Sequence, residues 1–338
     1  MIDVAIVSSA HWIGDARLNR HVEYLRSGGL QVEFFSPTQD QGRPSAFLAA
    51  LIRIMTVSCQ SVILPDPELF LIGSLVARLR GSRPIIDIHE DYPKAAATRT
   101  WVPDAMRPIV RWATAALVAL GRWTAWRVVV AAPEFQQRGD YLVRNVPDPS
   151  GFSTHGVTAS HILVYVGDVT VARGALEMID VLAALDSTFE LRIIGSAKSE
   201  VRQTIEQKAA QLDVEKRVAI LGRMPLQEAW ANARGSLVGF SLLRSVPAYQ
   251  DAVATKIWEY MAAGIPPIVS ALPGQSRVVS ELDPLLVCSS PVDCANVIRR
   301  LSTDHAFYDR LVQKGTEIAE KRWEETRPDR AIQEAVAP

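Results

Sequence analysis

Short apolar runs alternate with segments of helical spacing along the first half of the chain. We predict strands at Ile2–Val7, Gln31–Phe35, Ser61–Leu64, Pro84–Ile88 and Arg127–Ala131. We predict helices between them at Asp15–Ser27, Pro44–Val57 and Pro67–Arg80. Gly28 and Gly29 supply a stop signal after the first helix. This alternation is typical of a parallel sheet with helices on both faces.

A second series of the same kind begins near His161. Its strands are predicted at Ile162–Val166, Glu190–Ile194, Val218–Leu221, Leu237–Phe240 and Pro267–Val269. Its helices are predicted around Ala175–Leu185, Val201–Leu212, Leu226–Ala233, Thr255–Ala263 and Val292–Leu301. The segment 145–151, rich in proline and glycine, is the predicted linker. The pattern therefore indicates an α/β protein with two successive doubly wound, Rossmann-like domains.

Composition narrows the class of protein. The 338 residues are 48% hydrophobic and 22% charged, as in ordinary globular proteins, and the net charge of −1 offers no global field for nucleic acid or an anionic membrane. The three cysteines match neither a disulfide framework nor a zinc site, and the N-terminal apolar run lacks a basic leader. No run approaches the roughly 20 apolar residues of a membrane span. We predict a cytoplasmic protein that binds no nucleic acid.

Ligands of open α/β sheets bind beyond the carboxyl ends of the strands, and a cleft between two such domains is the default site. The richest segment of this kind is 245–270, which reads as a polar loop, a helix from Thr255 and a strand. The turn into the helix suits an anion such as a diphosphate, and Lys256 adds a cation. Glu259 suits the two hydroxyls of a ribose. The alternative is that Lys256 and Glu259 are solvated helix residues.

At this segment the chain resembles the retaining glycosyltransferases of family 4. The resemblance rests on Thr-Lys-Ile-Trp-Glu-Tyr-Met-Ala-Ala-Gly at 255–264, Ile-Ile-Asp-Ile-His-Glu-Asp-Tyr-Pro at 85–93 and Val-Gly-Asp-Val-Thr-Val-Ala-Arg-Gly at 166–174. It covers nearly the whole chain and implies the GT-B fold, in which two Rossmann-like domains face each other across a cleft. We therefore expect an acceptor-side domain at 1–148, a nucleotide-sugar domain at 149–317 and a C-terminal helix at 318–338 that returns to the first domain.

The resemblance also assigns residues that bind the donor. Glu259 matches the carboxylate on the donor ribose, and Asp251 stands where the family has a glutamate on the donor sugar. Arg173 and Lys256 would hold the diphosphate, although Asp168 stands near the position of the family's usual arginine. Three further residues are assigned to the donor. Gly174 opens the helix after Arg173, Thr255 is the first residue of the 255–264 motif, and Met224 lies in the loop that contacts the base.

Two segments of the first half add candidates. In the resemblance His89 lies near the reacting centre, and the loop with Gly14, Asp15 and Arg17 borders acceptor and donor phosphate. The alternatives are that His89 packs and hydrogen-bonds locally, and that Asp15 caps the following helix. Glu90 and Asp91 have no third ligand in view, so no metal is expected.

The expected activity is the transfer of a sugar from a nucleotide diphosphate sugar with retention of configuration and without a metal. The nucleotide diphosphate sugar is the donor substrate, and no cofactor is expected. Arg173, Lys256 and helix N-termini would stabilise the leaving diphosphate, and His89 would assist at the sugar. Because Asp251 and Asp168 depart from the family pattern, one alternative is a degenerate paralogue that binds a nucleotide sugar or a partner enzyme without turnover. Another is an epimerase of the same architecture.

The segment from Trp101 to Arg127 bears on the acceptor. It combines tryptophans and arginines with an apolar run, which suits a helix lying flat at the inner face of a membrane. The acceptor would then be a lipid-linked sugar, or otherwise a small-molecule glycoside. The alternative is a long helix that packs on the first domain and has an exposed face that bears arginines.

Overall fold

The computed structural model describes residues 2–11, 13–38, 42–97, 102–152 and 161–338. They form two compact units. The first comprises Met1–Asn145 and Glu325–Pro338, and the second comprises Val146–Glu324. The chain thus passes between units at Asn145–Val146 and again at Glu324–Glu325, whereas the sequence pattern placed these changes after residues 148 and 317.

The first unit is built on one parallel sheet. Its strands are β1 (Ile2–Val7), β2 (Val32–Phe35), β3 (Cys59–Leu64), β4 (Arg83–Ile88), β5 (Arg127–Val130) and β6 (Tyr141–Leu142). Its first six helices are α1 (Ala16–Ser27), α2 (Arg43–Thr56), α3 (Pro67–Phe70), α4 (Ile72–Leu79), α5 (Tyr92–Ala97) and α6 (Arg107–Thr124). The strand order is β2-β1-β3-β4-β5-β6.

The second unit contains a parallel sheet of six strands in the order β12-β11-β10-β7-β8-β9. The strands are β7 (Ile162–Val166), β8 (Glu190–Ile194), β9 (Val218–Gly222), β10 (Val238–Ser241), β11 (Pro267–Ser270) and β12 (Val287–Cys288). The helices are α7 (Ala175–Ala183), α8 (Ser199–Gln211), α9 (Leu226–Ala233), α10 (Thr255–Ala262), α11 (Pro273–Leu282), α12 (Pro291–Thr303) and α13 (His305–Thr326).

The last helix, α14 (Pro328–Val336), belongs to the first unit, where it contacts α1, β5 and β6. Arg327, with a φ of 33°, separates it from α13. The Gln333 side-chain amide donates a hydrogen bond to the Tyr24 carbonyl oxygen at 2.6 Å. The C-terminal helix therefore packs on the first unit as predicted, but it begins at Pro328, and α13 continues through most of the segment between 318 and Pro328.

The apolar pattern predicted the two sheets, but helix α11 and the part of α13 before residue 318 were not predicted. The predicted helix Pro67–Arg80 is two helices that meet at Leu71. The edge strands β6 and β12 were not predicted, because a two-residue strand carries no readable alternation. No helix in the described part of the chain has both the length and the apolar content needed to cross a bilayer.

Each sheet has one place where the strand order reverses. It lies between β1 and β3 in the first unit and between β7 and β10 in the second. Loops that leave neighbouring strands at such a place separate to opposite faces of the sheet and leave a crevice at the carboxyl edge. These two edges are therefore where functional side chains are expected.

Candidate active site

In the second unit, the loops after β7 and β10 meet at Gly174. The φ of Gly174 is 83°, and an added Cβ would lie 2.1 Å from the Leu242 carbonyl oxygen. Any other residue would push the two loops apart and would also strain a left-handed backbone. The start of α7 therefore lies directly against the loop that follows β10.

Arg173 is a partly exposed cation at the end of the first of these loops. Its Nη1 atom lies 3.8 Å from an Asp168 carboxylate oxygen, and its side chain is 37% exposed. Burial acts to lower the pKa of Arg173, but Tyr165, Tyr249 and Asp168 raise it overall. Arg173 is thus held as a cation next to the start of α7, where an anion would be favoured.

Lys256, on the first turn of α10, carries the most unusual charge in this unit. It is 8% exposed, and its Nζ atom has no hydrogen-bond partner among the described residues. Nζ lies 3.6 Å from the centroid of the Tyr165 ring. Burial, followed by the charge of Arg173, holds the pKa of Lys256 well below its usual range. A buried ammonium without a hydrogen-bond acceptor beside it is costly, and this cost is what lowers the pKa of Lys256.

Gly167 and Glu259 are the neighbours that locate Lys256 relative to the sheet. A Cβ at Gly167, the residue after β7, would lie 3.0 Å from Lys256 Nζ. Glu259, which is 7% exposed, is one turn further along α10 on the same side as Lys256. The alternative that Lys256 and Glu259 are solvated helix residues is wrong, because both side chains are buried. Both lie on the part of α10 nearest the end of β7.

Tyr260 fixes α10 to the sheet. Its hydroxyl oxygen accepts a hydrogen bond from the Val166 N–H at 2.9 Å. Its ring packs so closely on β10 that a Cβ at Gly239 would lie 2.5 Å from it. The position of the Lys256 ammonium is therefore set by core packing at the carboxyl end of β7.

Asp251 lies in the loop after β10 and is exposed. A Cβ at Gly274 would lie 2.4 Å from the Asp251 carbonyl oxygen, so the start of α11 supports the loop closely. A buried chain of hydrogen bonds ties β10, α11 and β11 to the same loop: Ser241 Oγ to Gln275 Oε1 at 2.5 Å, Gln275 Nε2 to Ser270 Oγ at 3.0 Å, and Ser270 Oγ to the Leu243 carbonyl oxygen at 2.7 Å. The backbone at Asp251 is therefore held while its carboxylate faces solvent.

The two remaining candidates of this unit are half-buried. Thr255 is the first residue of α10. Met224 follows β9, and its Sδ atom accepts a hydrogen bond from Asn232 Nδ2 at 3.6 Å. Met224 also packs against the apolar cluster that contains Tyr260. It therefore provides an apolar surface near the carboxyl edge.

In the first unit, Asp66 organises the edge where the strand order reverses. It directly follows the end of β3 at Leu64 and Pro65, and it is 1% exposed. Its Oδ2 atom accepts hydrogen bonds from Ser8 Oγ and from the Ser9 N–H, both at 2.7 Å. Asp66 thereby shapes the loop that follows β1.

His11 lies in that loop between two carboxylates. Its Nδ1 atom is 3.1 Å from Asp15 Oδ2, and its Nε2 atom is 3.3 Å from Asp66 Oδ1. Burial acts to lower the pKa of His11, but the hydrogen bond to Asp15 and the charges of Asp66 and Asp15 raise it overall. The same interactions lower the pKa of Asp15 to about 2 against the effect of burial. This geometry favours the imidazolium, in which both ring nitrogens donate.

His89 follows β4 and packs edge-on against His11, with ring centroids 5.1 Å apart. Its Nδ1 atom is 2.9 Å from the Tyr92 hydroxyl, which donates its only hydrogen to a backbone carbonyl, that of Pro65, at 2.9 Å. With this orientation of the hydroxyl, His89 Nδ1 is the donor to Tyr92 and Nε2 carries the lone pair; if Tyr92 instead donates to Nδ1, the two nitrogens exchange roles. Burial lowers the pKa of His89 to about 4, so the ring is neutral and one of its two nitrogens accepts hydrogen bonds.

This neutral His89 predicts a loss of stability at acid pH. Its pKa is about 4 in the folded protein and 6.5 ordinarily, so between these values the unfolded chain binds more protons and the free energy of unfolding falls as the pH falls. The full effect is about 3 kcal/mol. Urea unfolding at about pH 7 and about pH 4.5 should therefore show a smaller loss for His89→Gln than for the wild type. His305→Gln, at an exposed position, is the control, and equal losses in the wild type and His89→Gln would contradict the assignment.

The residues of the predicted first loop have separate roles. Gly14 is an exposed turn residue. Asp15 caps α1, because its Oδ1 accepts a hydrogen bond from the Leu18 N–H at 3.0 Å, and it also holds His11. Arg17, 8% exposed, donates from Nε and Nη2 to Asp87 at 3.0 and 2.7 Å. Arg17 therefore ties α1 to β4 and does not offer its charge to a ligand.

Sequence reasoning did not single out His11, Asp66 and Tyr92. The same signal that found His89 would have found the first two, since His11 and Asp66 also follow predicted strands. Among the residues that the structure describes, no three His, Cys, Asp or Glu side chains are grouped as a metal site requires. Of the predicted Trp101–Arg127 segment, Trp101 itself lies outside the described residues.

The family comparison matches residues 154–318 to the glycosyl transferases group 1. This range includes the loop after β7, α10 and the strand that follows it. A search of curated protein sequences found no match.

Solved structures with the same fold include glycosyltransferases. The Anabaena protein Alr3699/HepE, in complex with UDP and glucose, superposes with a TM-score of 0.72 at 14% identity over 99% of both chains. Sucrose-phosphate synthase from Thermosynechococcus elongatus gives a TM-score of 0.71 at 16% identity over 99% of this chain and 97% of that one. AviGT4, involved in avilamycin A biosynthesis, gives 0.54 at 13% identity over 97% of each. The predicted GT-B fold is therefore confirmed.

Proposed function

We propose that the chain, whose residues 154–318 match the glycosyl transferases group 1, is a glycosyltransferase that uses a uridine diphosphate sugar and transfers the sugar with retention of configuration. One observation carries the proposal: the buried Lys256 ammonium lacks a hydrogen-bond partner among the described residues, and it lies at the loop after β7 that ends in Arg173. The Anabaena structures with UDP and with UDP-glucose support uridine as the base.

The donor diphosphate completes this charge distribution. Its negative oxygens pair with Arg173 and Lys256 and accept hydrogen bonds from the first N–H groups of α7, which Gly174 brings against the loop after β10. Negative charge on the diphosphate grows as the sugar departs. The two cations and the helix start are fixed before the reaction, so they stabilise the transition state without reorganising.

The other donor contacts follow from the positions on α10 and its neighbours. Glu259 accepts hydrogen bonds from the two ribose hydroxyls. Asp251, exposed in the loop after β10, contacts the donor sugar with a shorter arm than the family's glutamate. Met224 lies against the base, and Thr255 contributes at the start of α10.

The reaction breaks the bond between the anomeric carbon and the β-phosphate oxygen and forms a bond between that carbon and the acceptor oxygen on the same face. The acceptor's proton passes to a donor phosphate oxygen, and UDP leaves. Neutral His89 orients the donor sugar through a hydroxyl group. The acceptor is a sugar, lipid-linked or part of a small-molecule glycoside. We place the reaction in the cytoplasm, where the free thiols Cys59, Cys288 and Cys294 stay reduced.

Thermal unfolding with and without UDP tests donor binding. A ligand at 100 times its dissociation constant adds about 2.7 kcal/mol of stability, so UDP should raise the melting temperature of the wild type. Glu259→Gln keeps the shape of the side chain but weakens both ribose hydrogen bonds, and we expect roughly tenfold weaker binding. Glu320→Gln, at an exposed position on α13, is the control and should bind like the wild type. An absence of any shift with UDP and with other nucleoside diphosphates would reject the proposal.

The departures at Asp251 and Asp168 favour one competing function, binding of a nucleotide sugar without turnover. That alternative would be established if UDP raised the melting temperature while the protein showed neither sugar transfer nor slow hydrolysis of the donor. An epimerase would convert the donor in the absence of acceptor, which NMR of the donor sugar would detect.

A further inference from the structure

The outer surfaces of α2, α4 and α6 expose an unusual number of large apolar side chains. On α2 these are Leu48, Ile52 and Met55; on α4 they are Ile72, Leu75 and Leu79; on α6 and just before it they are Met106, Ile109, Trp112, Leu120 and Trp123. Trp112 is 74%, Trp123 is 81% and Leu79 is 87% exposed. We call this set the α2–α4–α6 face.

The three helices present these side chains to the same side. Their inner residues, among them Ala50, Ile54 and Ala77, pack in one cluster with Val62, Ile86 and the other residues that point to that face of the sheet. α2 contacts α4, and α4 contacts α6. On α2 and α4 the exposed apolar residues recur at spacings of three or four positions, and on α6 at spacings of three with one interval of eight, so that on each helix they form one stripe opposite the core. The stripes therefore lie side by side.

The same helices contain no acidic residue. They carry six arginines and neither aspartate nor glutamate, in a chain whose net charge is −1. Four of these arginines pair with carboxylates from other segments: Arg43 with Glu68, Arg53 with Glu33, Arg107 with Asp104, and Arg122 with Asp140. Arg111, and Arg80 just after α4, are exposed and have no carboxylate partner among the described residues. The face is thus apolar with an excess of positive charge.

We propose that the α2–α4–α6 face docks on the surface of an anionic lipid bilayer. Tryptophan suits the boundary between acyl chains and headgroups, because its ring is apolar and its N–H is polar. Leucine and isoleucine would enter the outer acyl region, while Arg80 and Arg111 reach anionic headgroups. The helices lie parallel to the sheet, so the face rests on the bilayer and does not cross it.

The charges decide against a second copy of the chain as the occupant. A symmetric dimer through this face would bring the same surface of each copy together, and the helices α2, α4 and α6 carry no carboxylate to pair with Arg80 and Arg111 of the two copies. An anionic bilayer supplies the missing negative charge and an apolar layer at once. This proposal extends the single helix suggested by the sequence to three helices of one sheet face.

Vesicle sedimentation with the full chain tests the apolar part of the proposal. The wild type should bind vesicles of phosphatidylcholine and phosphatidylglycerol, and Trp112→Ser/Trp123→Ser should bind at least tenfold more weakly. Leu226→Ser/Val292→Ser removes exposed apolar side chains from the second unit and is the matched control. Because all these positions are exposed, circular dichroism should show the wild-type fold in each variant.

A second pair of variants tests the charges. Arg80→Gln/Arg111→Gln should weaken binding to the anionic vesicles roughly thirtyfold, since each arginine near such a surface contributes about 1 kcal/mol. Lys216→Gln/Arg234→Gln, exposed on the second unit, should bind like the wild type. Failure of the wild type to bind vesicles would overturn the proposal. So would a dimer in analytical ultracentrifugation that Trp112→Ser/Trp123→Ser dissociates. Neither measurement uses donor or transfer, so the result is independent of the proposed function.

Discussion

Replacing Lys256 with methionine is expected to stabilise the free protein and to lower the rate of sugar transfer by two to three orders of magnitude. The ammonium is buried without a hydrogen-bond partner among the described residues, and its pKa is held well below the usual range by burial and by Arg173. Methionine fills a similar volume without a charge. We expect the free energy of unfolding to rise by about 1–2 kcal/mol, after allowing for the lost contact with the Tyr165 ring.

The same substitution removes a charge that, in the proposed function, faces the diphosphate. Loss of one preorganised donor to a developing negative charge typically costs about 10²–10³ in rate. Urea unfolding of the free protein and initial rates of UDP release with saturating acceptor measure the two effects. If Lys256 served only the fold, Lys256→Met would lower the free energy of unfolding. If Lys256 lay outside the donor site, the substitution would leave the transfer rate unchanged.

Lys216→Met is the matched control for this experiment. Lys216 is exposed on the second unit, so its replacement should change neither the stability nor the rate appreciably. A stabilising effect confined to Lys256→Met would distinguish relief of a buried charge from a general effect of removing a lysine. If Lys256→Met were both less stable and fully active, the assignment of the diphosphate site would be wrong.

Replacing Asp87 with alanine is expected to lower the free energy of unfolding by about 4 kcal/mol. Asp87 is fully buried on β4. Its two oxygens each accept a hydrogen bond from Arg17, and Oδ2 also lies 3.1 Å from His21 Nε2. Burial alone would raise the pKa of Asp87, but the charge of Arg17 and the hydrogen bond to His21 hold it well below the usual range. Removing the carboxylate leaves Arg17 as a buried charge without its counter-ion, which is costly.

Two further variants make this prediction specific. Asp104→Ala breaks an exposed ion pair, in which the Arg107 side chain is 49% and the Asp104 side chain 88% exposed. This substitution should lower the free energy of unfolding by less than about 1 kcal/mol. The double variant Arg17→Met/Asp87→Leu removes both buried charges, and urea unfolding should show it to be more stable than Asp87→Ala. A loss in Asp87→Ala no greater than that in Asp104→Ala would contradict the buried ion pair.

The fate of Arg17 shows where sequence reasoning about single side chains fails. In the sequence it stands in a loop that resembles a ligand-binding loop, and nothing in its neighbours indicates where its guanidinium points. The structure pairs it with Asp87, seventy positions later in the chain. Asp87 lies in the middle of an apolar strand, where a carboxylate requires a partner, but the sequence does not identify which arginine supplies it.

Lys256 and Glu259 show the opposite case. Their spacing on a helix left open whether both were solvated, and helical periodicity alone cannot decide this. The close packing of Tyr260 on Gly239 seats the start of α10 at the end of β7, and this contact buries both charges. Burial thus depends on how the helix is placed on the sheet. That placement is set by residues of β10, which lie outside the helix and too far along the chain for helical periodicity to reveal.

Sequence alone determined the class of fold, ten of the twelve strands, and the strand ends at which His89, Arg173 and the α10 motif lie. These features follow from local patterns, because strand periodicity, helix stops and glycine turns are encoded by neighbouring residues. Only the tertiary structure decided which charges are paired. It joined His11 to Asp66, placed His89 beside the Tyr92 hydroxyl, and left the Lys256 ammonium without a hydrogen-bond partner among the described residues. Such pairings depend on distances between segments far apart in the chain, which packing of the whole core sets.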